Sequence, residues 1–291
     1  MKKYVFQPRK KIDTRLGEEF YKYPSIPYLE ECEGLLNEEL EIYEKVDGGN
    51  FQFRVYKGRI LTGSKSGYIG KSFRHSHFGE FDRMIKKMVG RKAHKINPRY
   101  IFYCEYLTER GHTLSYPKRF RGKAVLIDVY DIEEGRFLPY EEAKRICDGL
   151  KLDFILLPKL NEKARISEKE LRELLKGSIF EIEKKEGVVM KNYELQIAAK
   201  YVDKDFREIR DTLSLEESSA IDRIVERTVR DIYSEIKHPE RGRVRKRVFE
   251  AIRESELGTL LQNKEFEKAC KMRIEQAIEV KINDMKRNGT E

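Results

Sequence analysis

A change of period near residue 202 is the strongest constraint this chain places on its own fold. Between residues 41 and 202, short alternating apolar runs are separated by turns: EIYEKV, NFQFRVY, RILTGS, RYIFYCEYL, KAVLIDVYDI, GVVMK and LQIAAKYV. A period of two is the signature of strands with one buried side. Lys57-Gly58 parts two of these runs, and a glycine able to take φ > 0 there closes a tight hairpin. HFGEFDRMIKKMVGRKAHKI instead has apolar residues at helical spacing and is expected to cover one face of a sheet. After Val202 the pattern is helical throughout. SLEESSAIDRIVERTVRDIYSEIK opens with Ser214 and Glu217 at capping-box spacing, His238-Pro239 interrupts it, and helical stretches follow near 241–256 and 263–287. The expected class is α+β: an antiparallel β core with peripheral helices over residues 1–205, then an all-helical C-terminal domain over 206–291.

A chain of 291 residues exceeds what one core usually fills, in keeping with two domains. Its net charge of +9 is uneven. Residues 201–291 balance 20 Lys and Arg against 20 Asp and Glu, so the whole excess lies in residues 1–200. Such an excess attracts nucleic acid or nucleotide phosphates, or else only keeps a surface soluble. No run is long and apolar enough to cross a bilayer, and MKKYVFQPRKKIDTR lacks the apolar stretch of a signal peptide. A cytoplasmic protein with no membrane partner is expected. Cys32, Cys104, Cys147 and Cys270 form no CxxC pair, which argues against a zinc knuckle or a disulfide framework.

Lys45 ends one of the β-runs, in EKVDGGNFQFRVY, with Tyr43 and Val46 beside it. A lysine is a nucleophile only as the neutral amine, and burial or nearby cations lower its pKa toward that state. Asp47-Gly48-Gly49 then allows a sharp turn and a close approach of backbone to a ligand. The same residues equally describe a surface hairpin with an Asp-Gly turn. Further charges follow on later runs. Lys65 sits in GSKSGYIG, a loop of small residues suited to a phosphate or ribose. Glu105 lies between aromatics in FYCEYL, where a carboxylate needs a partner. Asp128 interrupts VLIDVYD, Glu186 opens EGVVMK, Lys191 closes it, and Lys200 ends LQIAA. Carboxylates to hold a divalent metal and lysines to neutralise phosphate oxygens are what a nucleoside triphosphate site requires.

In this order and spacing the series resembles the covalent nucleotidyltransferase superfamily of polynucleotide ligases and mRNA capping enzymes. Within it, the chain is most similar to the RNA ligase 2-like branch, which includes the kinetoplastid RNA-editing ligases. EKVDGGNF resembles the nucleotidyl-lysine motif, with Lys45 as nucleophile and Glu44 and Asn50 at the flanking positions. SKSGYI, YCEYL, VLIDVYD, EGVVMK and AAKYV resemble the motifs that follow, and YKYPSIPYLEE the lead-in; the likeness spans roughly residues 20–206. It implies a nucleotidyltransferase domain (ATP-grasp-like ligase) and an ATP-dependent RNA ligase that uses Mg2+ or Mn2+. Lys45 would attack the α-phosphate of ATP, carry AMP covalently and pass it to a 5′-phosphate, after which a 3′-OH expels AMP. Implied partners are RNA ends, single-stranded or in a nicked duplex. By the same resemblance Glu105 binds ribose or metal, Glu186 the metal, and Lys191 and Lys200 the phosphates. Glu44, Asn50, Lys65 and Ile127 complete the implied nucleotide site.

Four positions depart from the family pattern. Lys65 replaces an arginine and loses the planar fork that grips a strand's phosphate. Cys104 replaces a glycine before the glutamate, Ile127 an aromatic expected to stack on adenine, and Ala198 the first of two lysines. Tyr103, Tyr106, Tyr116, Phe120 and Tyr130 read as core, with one of them available to supply the missing ring. His75 and His77 are expected in a surface loop or on a phosphate rather than on a metal, and Lys71 and Arg74 beside nucleic acid or on a solvated face. The basic cluster RGRVRKRVFEAIR (241–253) either grips a duplex backbone or is the exposed side of a helix packed through Val244, Val248 and Ile252. The apolar stripes of the tail fit RNA contact or a homodimer. The region after residue 212 lacks the alternating strands of the OB barrel that DNA-preferring ligases append, which argues for the RNA-ligase branch. The alternatives are a DNA ligase or capping-type guanylyltransferase with an unusual tail, or a non-catalytic RNA-end-binding protein of the same fold.

Overall fold

The computed structural model describes residues 5–14, 16–70, 77–107, 116–182, 185–236 and 239–287. The chain opens with a hairpin of β1 (Arg9–Asp13) and β2 (Glu18–Lys22). Four strands follow: β3 (Leu40–Lys45), β4 (Gly49–Tyr56), β5 (Arg59–Ser64) and β6 (Gly67–Tyr68). Helix α1 (His77–Val89) separates them from β7 (Tyr100–Leu107), β8 (Lys123–Asp131) and β9 (Arg136–Phe137). Next come α2 (Tyr140–Gly149), β10 (Ile155–Leu156), β11 (Lys159–Ala164) and α3 (Glu168–Glu173). Strands β12 (Gly187–Asn192) and β13 (Ile197–Val202) end the β region. The remainder is helical: α4 (Lys204–Thr212), α5 (Leu215–Glu235), α6 (Arg241–Arg253) and α7 (Lys264–Arg287). Among the described residues no helix is long and apolar enough to cross a membrane.

All seven alternating runs are strands, and they divide between two sheets. One has seven strands in the order β10-β8-β7-β4-β5-β6, with β9 beside β8; the other has four, β11-β3-β12-β13. The β4–β5 hairpin closes through Lys57 (φ 49°) and Gly58 (φ 68°), a turn with both central residues left-handed, which matches the twist of its strands. Phe51, Phe53 and Val55 of β4 and Phe102, Cys104 and Tyr106 of β7 share a core with Phe81, Ile85 and Val89 of α1 and Ala143 and Cys147 of α2. The alternation of β4 and β7 therefore commits their other side, with Asn50 and Glu105, to the opposite face.

The chain divides into two compact units. The first comprises residues 1–108, 122–174 and 187–201; the second comprises 109–121, 175–186 and 202–291. In the helical unit the capping box of Ser214 and Glu217 opens α5 with both bonds present. Its core takes Ile221, Val225, Val229 and Ile232 from α5, Val244, Val248 and Ile252 from α6, and Cys270, Ile274 and Ile278 from α7. The apolar stripes that fitted either RNA contact or a homodimer pack against one another within the unit. Arg245 pairs with Glu275 and Arg247 with Glu235, leaving the basic side of α6 exposed as one of the two expected readings required. His75, Lys71 and Arg74 lie outside the described residues, as does His238, and only the backbone of His77 is described.

Candidate active site

The chain crosses from the four-stranded to the seven-stranded sheet at Val46-Asp47-Gly48, immediately after Lys45. Gly48 is required by that crossing. A Cβ there would lie 2.7 Å from Glu105 Cγ and 2.9 Å from the Tyr106 carbonyl oxygen. The close approach expected of this glycine is therefore made to β7. It also sets the end of β3 against the polar face of β7.

A cavity of about 230 Å³ opens at the crossing, within the first unit. Tyr43, Glu44, Lys45 and Val46 line it from β3 and its exit, Val189 and Lys191 from β12, and Lys200 from β13. Asn50 of β4, Glu105 of β7, and Leu126 and Ile127 of β8 line it from the other sheet, with Lys65 in the β5–β6 turn. Asn50 and Glu105 are direct cross-strand partners. Residues 23–26, the continuation of β2, complete the wall together with Tyr140 and Leu157. Seven of the eight residues expected on the nucleotide or as nucleophile (Glu44, Lys45, Asn50, Lys65, Glu105, Lys191, Lys200) are charged or polar groups brought into one space. Ile127 is the eighth.

Ile127 reaches the cavity through a bulge. Tyr103 pairs with Asp128 but Cys104 with Leu126, so Ile127 is the extra residue of β8 and its side chain is re-aimed. The five aromatics offered as a replacement ring do not line the cavity; Tyr23, Tyr43 and Tyr140 do. Of those five, Tyr103, Tyr106, Tyr116 and Tyr130 are buried as core, and Phe120 is partly buried. Cys104 points into the helix-covered core, away from Glu105, so its replacement of glycine falls on the far side of the strand. Ala198 is buried two residues before Lys200 and leaves that strand a single lysine at the cavity.

Lys191 and Asp128 form a buried pair, 4% and 2% exposed. The Lys191 Nζ donates to both Asp128 carboxylate oxygens at 2.7 and 2.8 Å and to the Ile127 carbonyl at 3.0 Å. Asp128 also accepts from the Tyr23 hydroxyl at 2.5 Å and the Tyr193 hydroxyl at 3.0 Å. Burial, and then the Asp128 charge, hold both phenols well above their usual pKa, so both stay donors. Burial likewise raises Tyr43, helped by its hydrogen bond to Glu41, and raises Tyr140 to about 12. Asp128, read from sequence as one of several acids suited to metal or phosphate chemistry, is instead saturated by a lysine and two phenols. Tyr23 and Tyr193 reach Asp128 through the fold alone; of the two, only Tyr23, inside the lead-in YKYPSI, stands in a recognisable motif.

Lys200 sits with its Nζ 4.1 Å from the centre of the Tyr28 ring, and its amide donates to the Pro27 carbonyl at 2.9 Å. That bridge lays the lead-in segment along β13. Glu186 is buried, precedes Gly187 in the chain, and accepts from the Asp203 amide through its carbonyl at 2.9 Å. It groups with the helical unit and does not line the cavity. Among the described residues, no set of three or more His, Cys, Asp or Glu stands close enough to hold a metal unaided. The donors present, Glu105 and Glu44, suit a hard cation that keeps waters and relies on one or two carboxylates plus phosphate oxygens.

The family model for RNA ligase matches residues 38–202. Solved structures with a similar fold include a Naegleria gruberi RNA ligase variant with ATP and manganese, at TM-score 0.54 and 14% identity, covering 70% of this chain and 61% of that one. The Naegleria gruberi RNA ligase with pyrophosphate matches at 0.54 and 14%, covering 72% and 63%. A variant with AMP and manganese also gives 0.54 and 14%, with the same coverage. The chain thus spans less than two thirds of the Naegleria chains, and at this identity the likeness is one of fold. No curated protein sequence matches it.

Proposed function

The chain belongs to the RNA ligase family, and from that premise we propose that it is an ATP-dependent RNA ligase working through a lysyl-AMP intermediate. The observation that carries this reading is the convergence of Lys45, Asn50, Lys65, Glu105, Lys191 and Lys200, from both sheets, on one cavity. The neutral Lys45 amine attacks the α-phosphorus of ATP. An N–P bond forms, the P–O bond to pyrophosphate breaks, and the amine gives up a proton. AMP then passes to the 5′-phosphate of an RNA strand, freeing Lys45, and a 3′-OH displaces AMP as the phosphodiester forms. Displacement at phosphorus is chiefly positioning and charge neutralisation.

In this reading Asn50 and Glu105 orient the ribose from adjacent strands, Lys200 faces the phosphates, and Lys65 meets the incoming strand's phosphate. Lys191 contributes its charge from the wall while anchored to Asp128. Mg2+ or Mn2+, held by Glu105 and phosphate oxygens, supplies neutralisation of the pyrophosphate leaving group when bound. The base lies among the aliphatic groups Ile127 and Val189 and the rings of Tyr23, Tyr43 and Tyr140 that also line the cavity. In the helical unit, the exposed Arg241, Arg243 and Lys246 of α6 contact the RNA backbone; with the apolar stripes buried, this use of the tail is favoured over a homodimer.

The test is covalent labelling. Protein stripped of bound AMP is incubated with α-labelled ATP and magnesium and resolved on a denaturing gel. Label is expected on the wild type and absent from Lys45→Ala. Label from GTP alone points to a capping-type enzyme, and RNA-end binding with no label from any nucleotide overturns the ligase reading. Sealing of nicked duplexes with RNA or DNA 3′-OH ends then fixes the strand preference.

A further inference from the structure

The N-terminal hairpin lies outside the matched family region, yet it is built into the turn that carries Lys65. Lys65 and Ser66 form the two-residue turn between β5 and β6, with Ser64 paired to Gly67. Lys11 Nζ donates to the Ser66 carbonyl at 2.8 Å. Asp13, a carboxylate only 3% exposed, accepts from the Tyr68 amide at 3.0 Å and from the Leu16 amide at 3.3 Å, which ties the hairpin's own turn to β6. The Tyr68 hydroxyl donates to the Glu19 carbonyl at 2.6 Å. Phe20 packs edge-on to Tyr68, ring centres 5.1 Å apart, and lies so near Gly63 that a Cβ there would stand 2.7 Å from its ring. These contacts hold the turn from three sides. Beyond Lys22 the same strand runs directly into residues 23–26 of the cavity wall.

We infer that the β1–β2 hairpin is a positioning element for Lys65, with Asp13 as its anchor, and that it governs transfer of AMP to the 5′-phosphate rather than loading of Lys45. The inference rests on the ligase reading above. Lys65 stands at the end of an exposed turn, and a lysine grips a phosphate as a point charge, so its usefulness depends on where the turn holds it. Asp13 is buried and negative and cannot itself bind a strand's phosphate. Any effect of its removal on transfer is therefore relayed through the turn.

The experiment compares wild type, Asp13→Ala, Asp13→Asn, Lys11→Ala, Lys11→Arg and Lys65→Ala in the full chain. Covalent uptake of AMP at Lys45 is measured first, then transfer from pre-loaded enzyme to a 5′-phosphorylated RNA strand, as KM and kcat. Asp13→Ala is expected to load Lys45 at the wild-type rate. It should raise the strand KM about tenfold, reproducing Lys65→Ala, while Asp13→Asn, which keeps an acceptor, recovers most of the loss. Lys11→Ala should act more weakly, with Lys11→Arg restoring it. Amide exchange at Tyr68 should quicken in Asp13→Ala, while that at Ile69, bonded to the Thr62 carbonyl at 2.8 Å, should not. Faster Tyr68 exchange with unchanged transfer overturns the inference, as does equal loss of loading and transfer, since either leaves the hairpin as scaffold. Should Asp13→Ala fail to fold, the Lys11 pair decides, no effect on KM or no restoration by arginine overturning the inference. A wild type that takes no label overturns the ligase reading itself, a result none of these variants can mimic.

Discussion

Each unit of the molecule pairs a buried cation with a carboxylate, Arg273 with Asp222 and Lys191 with Asp128, and the two pairs differ in what surrounds them. In the helical unit Arg273, 1% exposed on α7, holds Asp222 of α5 through two bonds of 2.9 and 2.6 Å. Nε and Nη2 both meet that one carboxylate, whose side chain stays 31% exposed. In the sheet unit Lys191 holds Asp128, but there the carboxylate also takes two phenols, the ammonium also takes the carbonyl of a bulged residue, and the lysine lines a cavity. A buried cation held by a carboxylate is common to both; of the two pairs, only Lys191–Asp128 borders the cavity. What separates them is their surroundings: one pair belongs to a cavity wall, the other joins two packed helices.

The comparison can be broken by removing each carboxylate. Asp128→Ala strands a buried ammonium and is expected to cost about 3–5 kcal/mol in denaturant unfolding. Labelling of Lys45 should fall in the same variant under conditions where it is still folded, because the Ile127 bulge loses its tie. Asp222→Ala strands Arg273 and is expected to cost about 3 kcal/mol, with Lys45 labelling unchanged at temperatures below its lowered midpoint. Equal labelling loss in both would erase the distinction.

Smaller changes sharpen it. Tyr23→Phe removes one donor to Asp128 and should cost about 1.5–3 kcal/mol, read by denaturation, with a matching loss in nucleotide uptake. The smallest effect is on pH dependence. Tyr68 and Tyr140 are pushed up to about 12 by burial, and Tyr23, Tyr43 and Tyr193 are also raised, all in the sheet unit. A phenol ordinarily ionises near pH 10, so above that value the unfolded chain releases protons that the folded unit retains. Stability should therefore be intact below about pH 10 and decline as pH rises toward about 12, with native phenolate absorbance lagging that of the denatured chain.

Much of this was legible in the chain. Alternation in NFQFRVY and RYIFYCEYL marked both as strands, and the structure pairs them with Asn50 opposite Glu105 on the face away from the helices. The helical stripe of α6 was legible down to Val244, Val248 and Ile252, all fully buried. The order of charged residues after Lys45 was legible as a family pattern. Partnership was not. Asp128 and Lys191 are 63 residues apart, and they meet beside a register shift in β8 at Ile127 that no local pattern announces. The N-terminal hairpin, with exposed Arg9, Lys10 and Lys11, was not foreseen from the sequence, because a hydrogen bond to a carbonyl 55 residues away leaves no local mark.

The amino-acid order alone determined the class of the fold and the switch from strands to helices, and it carries a run of residues that resembles a nucleotidyl-lysine motif. Period, turn residues and caps act within a few positions and can be read directly. Which charges face a cavity and which are spent on one another was decided by tertiary structure, because strand register, one bulge and the crossing at Gly48 place groups that are remote in the chain within bonding distance.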